Sequence, residues 1–508
     1  MANPLYDALF GRHQGSDAVF LHLADGVQIT HAQFLATTAR FANQLTDLGI
    51  GPGDRVAVQI AKSRQALSLY AACVQAGIVF LPLNTAYTAD EVSYFVGNSG
   101  AKLLICDGKD AEALGPVATE TGAALESLNA DGSGSFPYKA AYQRDSFETV
   151  PRSRDDLAAF LYTSGTTGRS KGAMLTQANL LSNAEVLVRA WRFTKADVLL
   201  HALPIFHTHG LFVATNVCLL AGASMIFLPK FDTDTMIAHM PKATVMMGVP
   251  TFYTRLLDDP RFTRDLTQHM RLFVSGSAPL LAETHVQFEH RTGHRILERY
   301  GMTETNMNTS NPYDGERRAG TVGFPLPGVE LKITDPATGH TLPDGEIGQI
   351  EVRGPNVFKG YWQMPQKTAE ELRSDGFFIT GDLGQIDADG YVHIVGRNKD
   401  LIIAGGYNIY PKEIELLLDE EPGVLESAVI GVPHPDFGET PVGVIVPDGI
   451  TTPDLDAIRA SIARSLARFK HPQKLLLVEE LPRNTMGKVQ KNQLRDRYGN
   501  LFAKAPQG

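Results

Sequence analysis

Residues 161–172 read Leu161-Tyr162-Thr163-Ser164-Gly165-Thr166-Thr167-Gly168-Arg169-Ser170-Lys171-Gly172. An apolar, strand-like segment gives way here to hydroxyls, glycines and a lysine. Such a loop can wrap phosphates: glycines let backbone N–H groups approach oxygens, Ser and Thr add donors, and the lysine supplies compensating charge. The spacing is not that of a Walker A loop. That motif needs two glycines five positions apart followed directly by Lys and Ser/Thr, whereas Gly165 and Gly168 are three apart and Lys171 precedes Gly172. A generic P-loop ATPase is disfavoured, and the surrounding chain has to say what else holds the phosphates.

Outward from this loop, short apolar strands alternate with amphipathic stretches: strands at residues 56–60, 77–83 and 103–106, and a helix at 63–75. The pattern predicts an α/β fold in which helices cover mainly parallel sheets. Residues 129–137, rich in Gly and Ser, read as a surface loop. Residues 210–228 carry no charge, but Asn216 and the Leu220-Ala221-Gly222-Ala223-Ser224 punctuation make them helix, turn and buried strand instead of a membrane span. Near Gly396 the texture changes to shorter units: strands at 428–432, 442–446 and 474–478, and a helix at 453–469. The expectation is a large N-terminal α/β domain over 1–397 and a small mobile α+β lid over 398–508.

A chain of 508 residues exceeds what one core usually supports, and 43% hydrophobic with 20% charged residues is ordinary for a globular enzyme. The net charge of −10 argues against nucleic acid or an anionic membrane as partner. The three cysteines, Cys73, Cys106 and Cys218, lie in apolar sequence without metal-ligand spacing, and residues 1–14 lack a sustained apolar run. These features lead to an expected cytoplasmic location.

Four further segments follow the Thr163–Lys171 run in order: Arg299-Tyr300-Gly301-Met302-Thr303-Glu304, Thr380-Gly381-Asp382, Gly396-Arg397-Asn398-Lys399-Asp400 and Pro482-Arg483-Asn484-Thr485-Met486-Gly487-Lys488. Together with the loop they resemble the acyl-CoA synthetase, adenylation-domain and luciferase superfamily, over essentially the whole chain. The resemblance implies an AMP-forming acid–CoA ligase using ATP, Mg²⁺ and coenzyme A. Thr163, Ser164, Gly165, Thr166, Thr167, Gly168 and Lys171 then hold phosphates, with Ser277, Ala278, Pro279 and the Arg299–Thr303 segment beside the nucleotide. Glu304 offers a carboxylate to Mg²⁺, Tyr300 a ring to adenine, and Asp382 and Arg397 polar groups to the ribose or phosphate. Lys488 is the adenylation lysine, Lys399 the hinge of a rotating lid, and Gly405 and Gly406 the approach for the pantetheine arm of CoA. The resemblance also makes Lys488 a target for a protein acetyltransferase.

The acid is read from departures within that resemblance. Arg255 opens an otherwise apolar helical turn, Ser277 stands where glycine is frequent, and Arg299 precedes Tyr300 where uncharged residues are common. Charge beside hydrocarbon costs free energy unless a counter-charge arrives. A second carboxylate supplies it, so malonate, with methylmalonate beside it, is the expected substrate, held by Arg255, Ser277 and Arg299; the whole chain then resembles the malonyl-CoA synthetases, and the resemblance makes His207 a residue lining the acid's pocket. A His207–His209 metal site is disfavoured by the lack of further ligands. A ligase for a short-chain or aryl monocarboxylate and an adenylating enzyme that loads a carrier protein stay open. A catalytically silent nucleotide-binding module is disfavoured by Lys488.

Overall fold

The apolar residues leading into the phosphate-type loop form the strand Leu157–Thr163, which pairs antiparallel with Lys171–Thr176 so that Thr163 faces Lys171 across the ladder. The computed structural model describes residues 2–163, 170–404, 407–435, 437–484 and 487–502. Ser164, Gly165, Thr166, Thr167, Gly168, Gly405 and Gly406 lie outside the described residues.

The chain divides into two compact units, Met1–Glu330 with Val352–Phe378, and Leu331–Glu351 with Ile379–Gly508. In the first unit a six-stranded sheet runs in the order Ala124–Ser127, Leu103–Cys106, Arg55–Gln59, Val79–Pro82, Leu157–Thr163, Lys171–Thr176, parallel except for the last pair. Leu103–Cys106 is buried at every position, as a continuous apolar run must be when helices cover both faces. Thr88 caps the helix Ala89–Ser99 through a reciprocal box with Glu91, and Gly100 ends it in the left-handed conformation. A nine-stranded sheet places Val198–His201, Val245–Gly248 and Leu272–Ser275 side by side and parallel. The C-terminal ends of such strands are where ligands bind open α/β sheets.

Residues 210–228 form the end of a π-helical turn, His209–Thr215, then the helix Asn216–Ala221 and the buried strand Ser224–Phe227. Among the described residues no helix is long and apolar enough to cross a membrane. The expected loop at 129–137 is shorter than its composition suggests: a helix, Ser135–Ala140, starts inside it. Reciprocal hydrogen bonds between Ser127 and Ser135 close the turn, and Gly134 packs so tightly on the Ser127 carbonyl that a Cβ would lie 2.4 Å from it.

The second unit contains most of a four-stranded sheet, ending in Phe378–Ile386 and Val392–Arg397, and a further sheet built on the long hairpin Val424–His434 with Gly438–Pro447. Lys474–Leu477 lies parallel to the second hairpin strand. The helix expected at 453–469 spans Leu455–Ser465, capped by Asp454, and stops where Leu466 turns extended and its carbonyl meets the His471 ring at 2.8 Å. The texture change at residue 397 falls inside this unit, whose second segment begins at Ile379.

Candidate active site

Glu304 is reached by a tight turn between the antiparallel strands Leu297–Met302 and Asn306–Ser310, whose register shifts between Tyr300 and Gly301. Gly301 permits that shift, since a Cβ there would sit 1.9 Å from the Asn306 carbonyl. Met302 ends the first strand, and Thr303 and Thr305 flank Glu304 in the turn. The Glu304 carboxylate is 4% exposed and accepts from the Thr163 hydroxyl at 3.3 Å and the Tyr361 phenol at 3.0 Å. Tyr361 also lies 2.6 Å from Glu371, which pairs with Lys171 at 3.1 Å. Burial and the two carboxylates drive the Tyr361 pKa far above its usual value, so the phenol remains a donor. Burial alone would raise the Glu371 pKa, but hydrogen bonds from Tyr361 and Lys367 and the charge of Lys171 hold it below the ordinary range. Glu304 with the Thr163 hydroxyl presents the hard oxygens that Mg²⁺ prefers. Among the described residues no group of three or more His, Cys, Asp or Glu gathers around one point. One carboxylate completed by substrate phosphates and water is an ordinary arrangement for Mg²⁺.

A second group of side chains meets at the C-terminal ends of the parallel strands. Ser277 follows Leu272–Ser275 with φ +73°, ahead of Ala278 and Pro279, and its hydroxyl lies 3.2 Å from His209 Nδ1. Arg299 is 3% exposed and its guanidinium presses on Gly276, where a Cβ would come within 2.4 Å. Its Nε and Nη2 have no hydrogen-bond partner among the described residues, and burial pushes its pKa down to about 9 despite Tyr253 and Glu298. His207 and His209 each leave a buried Nε2 unpartnered among those residues. Burial lowers the pKa of His207 to about 4 and that of His209 well below normal, the latter with help from Arg299. The imidazoles are therefore neutral beside a charged guanidinium. Arg255, expected in the same group, lies exposed on the helix Pro250–Leu257 with its guanidinium 5.9 Å from the Phe231 ring centre. No hydrogen bond or ion pair among the described residues joins it to Ser277 or Arg299.

In the second unit Asp382 and Arg397 face each other across paired strands and form an ion pair at 2.6 Å. The Thr380 hydroxyl accepts from the Asp382 N–H at 3.1 Å, and Gly381 turns the chain between them with φ +74°. Lys399 is exposed on the single turn Asn398–Asp400. Lys488 sits among Arg397, Asp382, Lys399 and Asp400. Loss of hydration and then Arg397 lower its pKa to about 8, against the pull of Asp382. Its side chain still reaches water, which screens the contribution of those charges.

The family described as AMP-binding enzyme matches residues 10–362, and the one described as AMP-binding enzyme C-terminal domain matches residues 413–488. The chain belongs to the AMP-binding enzyme family. The ATP-bound MatB from Rhodopseudomonas palustris is 57% identical to it, with a TM-score of 0.97 over 99% of this chain and 100% of that one. A malonate–CoA ligase of Arabidopsis thaliana is 37% identical over 460 residues, covering 84% of this chain and 74% of the relative. A feruloyl-CoA synthase of Amycolatopsis sp is 35% identical over 478 residues, 93% and 95% of the two chains.

Within this AMP-binding enzyme, sequence reasoning missed Tyr361 and Glu371, although Gly360-Tyr361-Trp362 and the paired Glu370-Glu371 are visible signals close to one another. It also missed Lys62, whose amine meets His201 at Nδ1 and the carbonyl, both 2.9 Å, and the Phe227 ring at 4.3 Å. Burial lowers the Lys62 pKa well below normal. The His201 ring in turn touches the Gly210 carbonyl at 2.9 Å, inside the turn that carries His209.

Proposed function

We propose that this family member is an AMP-forming malonate–CoA ligase, converting ATP, malonate and CoA to malonyl-CoA, AMP and diphosphate through malonyl-adenylate, with methylmalonate as a second substrate. The observation that carries the reading is the buried Arg299 guanidinium, two of whose nitrogens have no partner among the described residues, beside Ser277 and neutral His207 and His209. A distal carboxylate would satisfy those donors by charge-assisted hydrogen bonds, whereas an apolar tail would leave them buried and unpaired. The similarity to a malonate–CoA ligase supports the same acid.

The reacting carboxylate is already ionised, so no general base is needed for its attack on the α-phosphorus. Lys488 supplies a mobile ammonium between the acid and the α-phosphate as charge redistributes, and the 163–171 loop with Lys171 holds the outer phosphates. Glu304, braced by Thr163 and Tyr361, would hold Mg²⁺. When bound there, the ion neutralises charge on the departing diphosphate. Asp382 accepts from the ribose hydroxyls, Arg397 is placed by Asp382, and Tyr300 stacks on adenine. Lys399 is the hinge about which a lid carrying Lys488 turns. Gly405 and Gly406 then admit the pantetheine arm for thioester formation. A cytoplasmic setting, a domain boundary at 397/398, and acetylation of the solvent-reaching Lys488 by a protein acetyltransferase belong to the same reading.

A second reading, a monocarboxylate–CoA ligase, is favoured by the exposure of Arg255 and by the similarity to a feruloyl-CoA synthase. Diphosphate release measured side by side with malonate, methylmalonate, acetate and an aryl acid separates the two. Malonate and methylmalonate are expected to dominate; preference for acetate or the aryl acid would reject the dicarboxylate reading.

A further inference from the structure

One phenol hydroxyl stands between two carboxylates: Tyr361 Oη is 3.0 Å from Glu304 Oε1 and 2.6 Å from Glu371 Oε2. The phenol has one proton to donate, so strengthening one bond weakens the other. Glu371 is in turn held by the phosphate-loop lysine, with Lys171 Nζ at 3.1 Å from both of its oxygens and 4.1 Å from the Tyr361 ring centre. The four side chains form one unbroken line from the metal carboxylate to the phosphate lysine.

We propose that Tyr361 and Glu371 are positioning residues that couple metal binding at Glu304 to phosphate binding at Lys171. Without nucleotide, Glu371 occupies Lys171 and keeps it from the phosphates. When phosphate oxygens draw Lys171 away, Glu371 does not become a bare buried charge. Lys367, one helical turn earlier, already lies 3.0 Å from Glu371 Oε1, and the Tyr361 proton shifts its hydrogen bond toward Glu371 Oε2. Glu304 then loses part of its neutral donor, which leaves its oxygen freer to take a cation. Binding at either end makes the other end easier, and such coupling is reciprocal.

The inference rests on Glu304 taking the metal, so the experiment includes that residue. Calorimetry with ATP in EDTA and with ATP plus Mg²⁺ gives, for each variant, the ratio of the two dissociation constants, with the melting temperature as a check on folding. Tyr361→Phe keeps the ring over Lys171 but removes the proton. Its ratio should fall by about five-fold or more, because Glu304 no longer answers to phosphate binding at Lys171. Glu371→Gln frees Lys171 and should tighten metal-free ATP binding by roughly three-fold or more, an effect opposite in sign to structural damage, while Glu371→Asp restores the wild-type value. Unchanged coupling in Tyr361→Phe, or weaker metal-free binding in Glu371→Gln, would overturn the proposal while leaving Glu304 as the metal carboxylate if Glu304→Ala loses the ratio. A Glu304→Ala variant that kept the ratio would overturn both readings.

Discussion

Arg299 carries its charge in a place where charge is costly. Burial holds its pKa near 9, below the usual guanidinium value, so the folded chain disfavours the cation relative to the unfolded chain. That destabilisation is fully present at pH 7 and is relieved only as pH rises past about 9. Arg299→Met should therefore raise the melting temperature of the ligand-free protein at pH 7, while lowering kcat/KM for malonate by roughly 30-fold or more and that for acetate far less. A lower melting temperature with malonate use retained would remove Arg299 from acid recognition. Lys488 makes the complementary prediction. With its pKa lowered to about 8, the ammonium that adenylation needs is present below that pH and lost above it. kcat/KM for ATP, which reports the free enzyme, should show an alkaline limb near pH 8, absent in Lys488→Arg. Lys488→Ala should slow adenylate formation by about 10²–10³-fold and leave conversion of supplied malonyl-adenylate with CoA nearly intact; equal loss in both half-reactions would contradict the assignment.

At the scale of the element, the turn bearing Glu304 depends on Gly301. A Cβ there meets the Asn306 carbonyl at 1.9 Å, a backbone atom that cannot rotate away. Gly301→Ala should part the strands Leu297–Met302 and Asn306–Ser310, cost about 1–3 kcal/mol of stability, and weaken MgATP binding more than malonate binding, as paired calorimetric titrations would reveal. The Arg299–Glu304 run stood out in the sequence as a site segment, but not as a turn between paired strands. Asp382 and Arg397 stood out separately, each as a polar group for the ribose or phosphate, and only the strand register pairs them as an ion pair. Tyr361 and Glu371 were not legible, because nothing linear says that one phenol proton is shared by two carboxylates that lie 67 positions apart in the chain. Arg255 shows the opposite failing. A cation in an apolar helical turn reads as a pocket residue, yet a flexible stem on a short helix also reaches solvent, and here it does.

At the scale of the molecule, the alternation of strand and helix made the parallel sheets readable, and the change of texture made a second unit readable. Its outline was less so, because Leu331–Glu351 joins it from far upstream and only three-dimensional pairing reveals that. A two-part reaction on a two-unit chain makes Lys399 testable. Proline fixes φ near −65°, so Lys399→Pro should leave adenylate formation close to wild type and slow the thioester step by at least about 10-fold; single-turnover measurements of each half-reaction decide it. The central claim is that a malonate oxygen attacks the α-phosphorus of ATP. Reaction with ¹⁸O-labelled malonate and CoA, followed by mass spectrometry of the products, tests this most directly. One labelled oxygen should appear in AMP, the diphosphate should carry none, and malonyl-CoA should keep the remaining label. Label in inorganic phosphate with ADP as the nucleotide product would mean an acyl-phosphate route and would contradict the account.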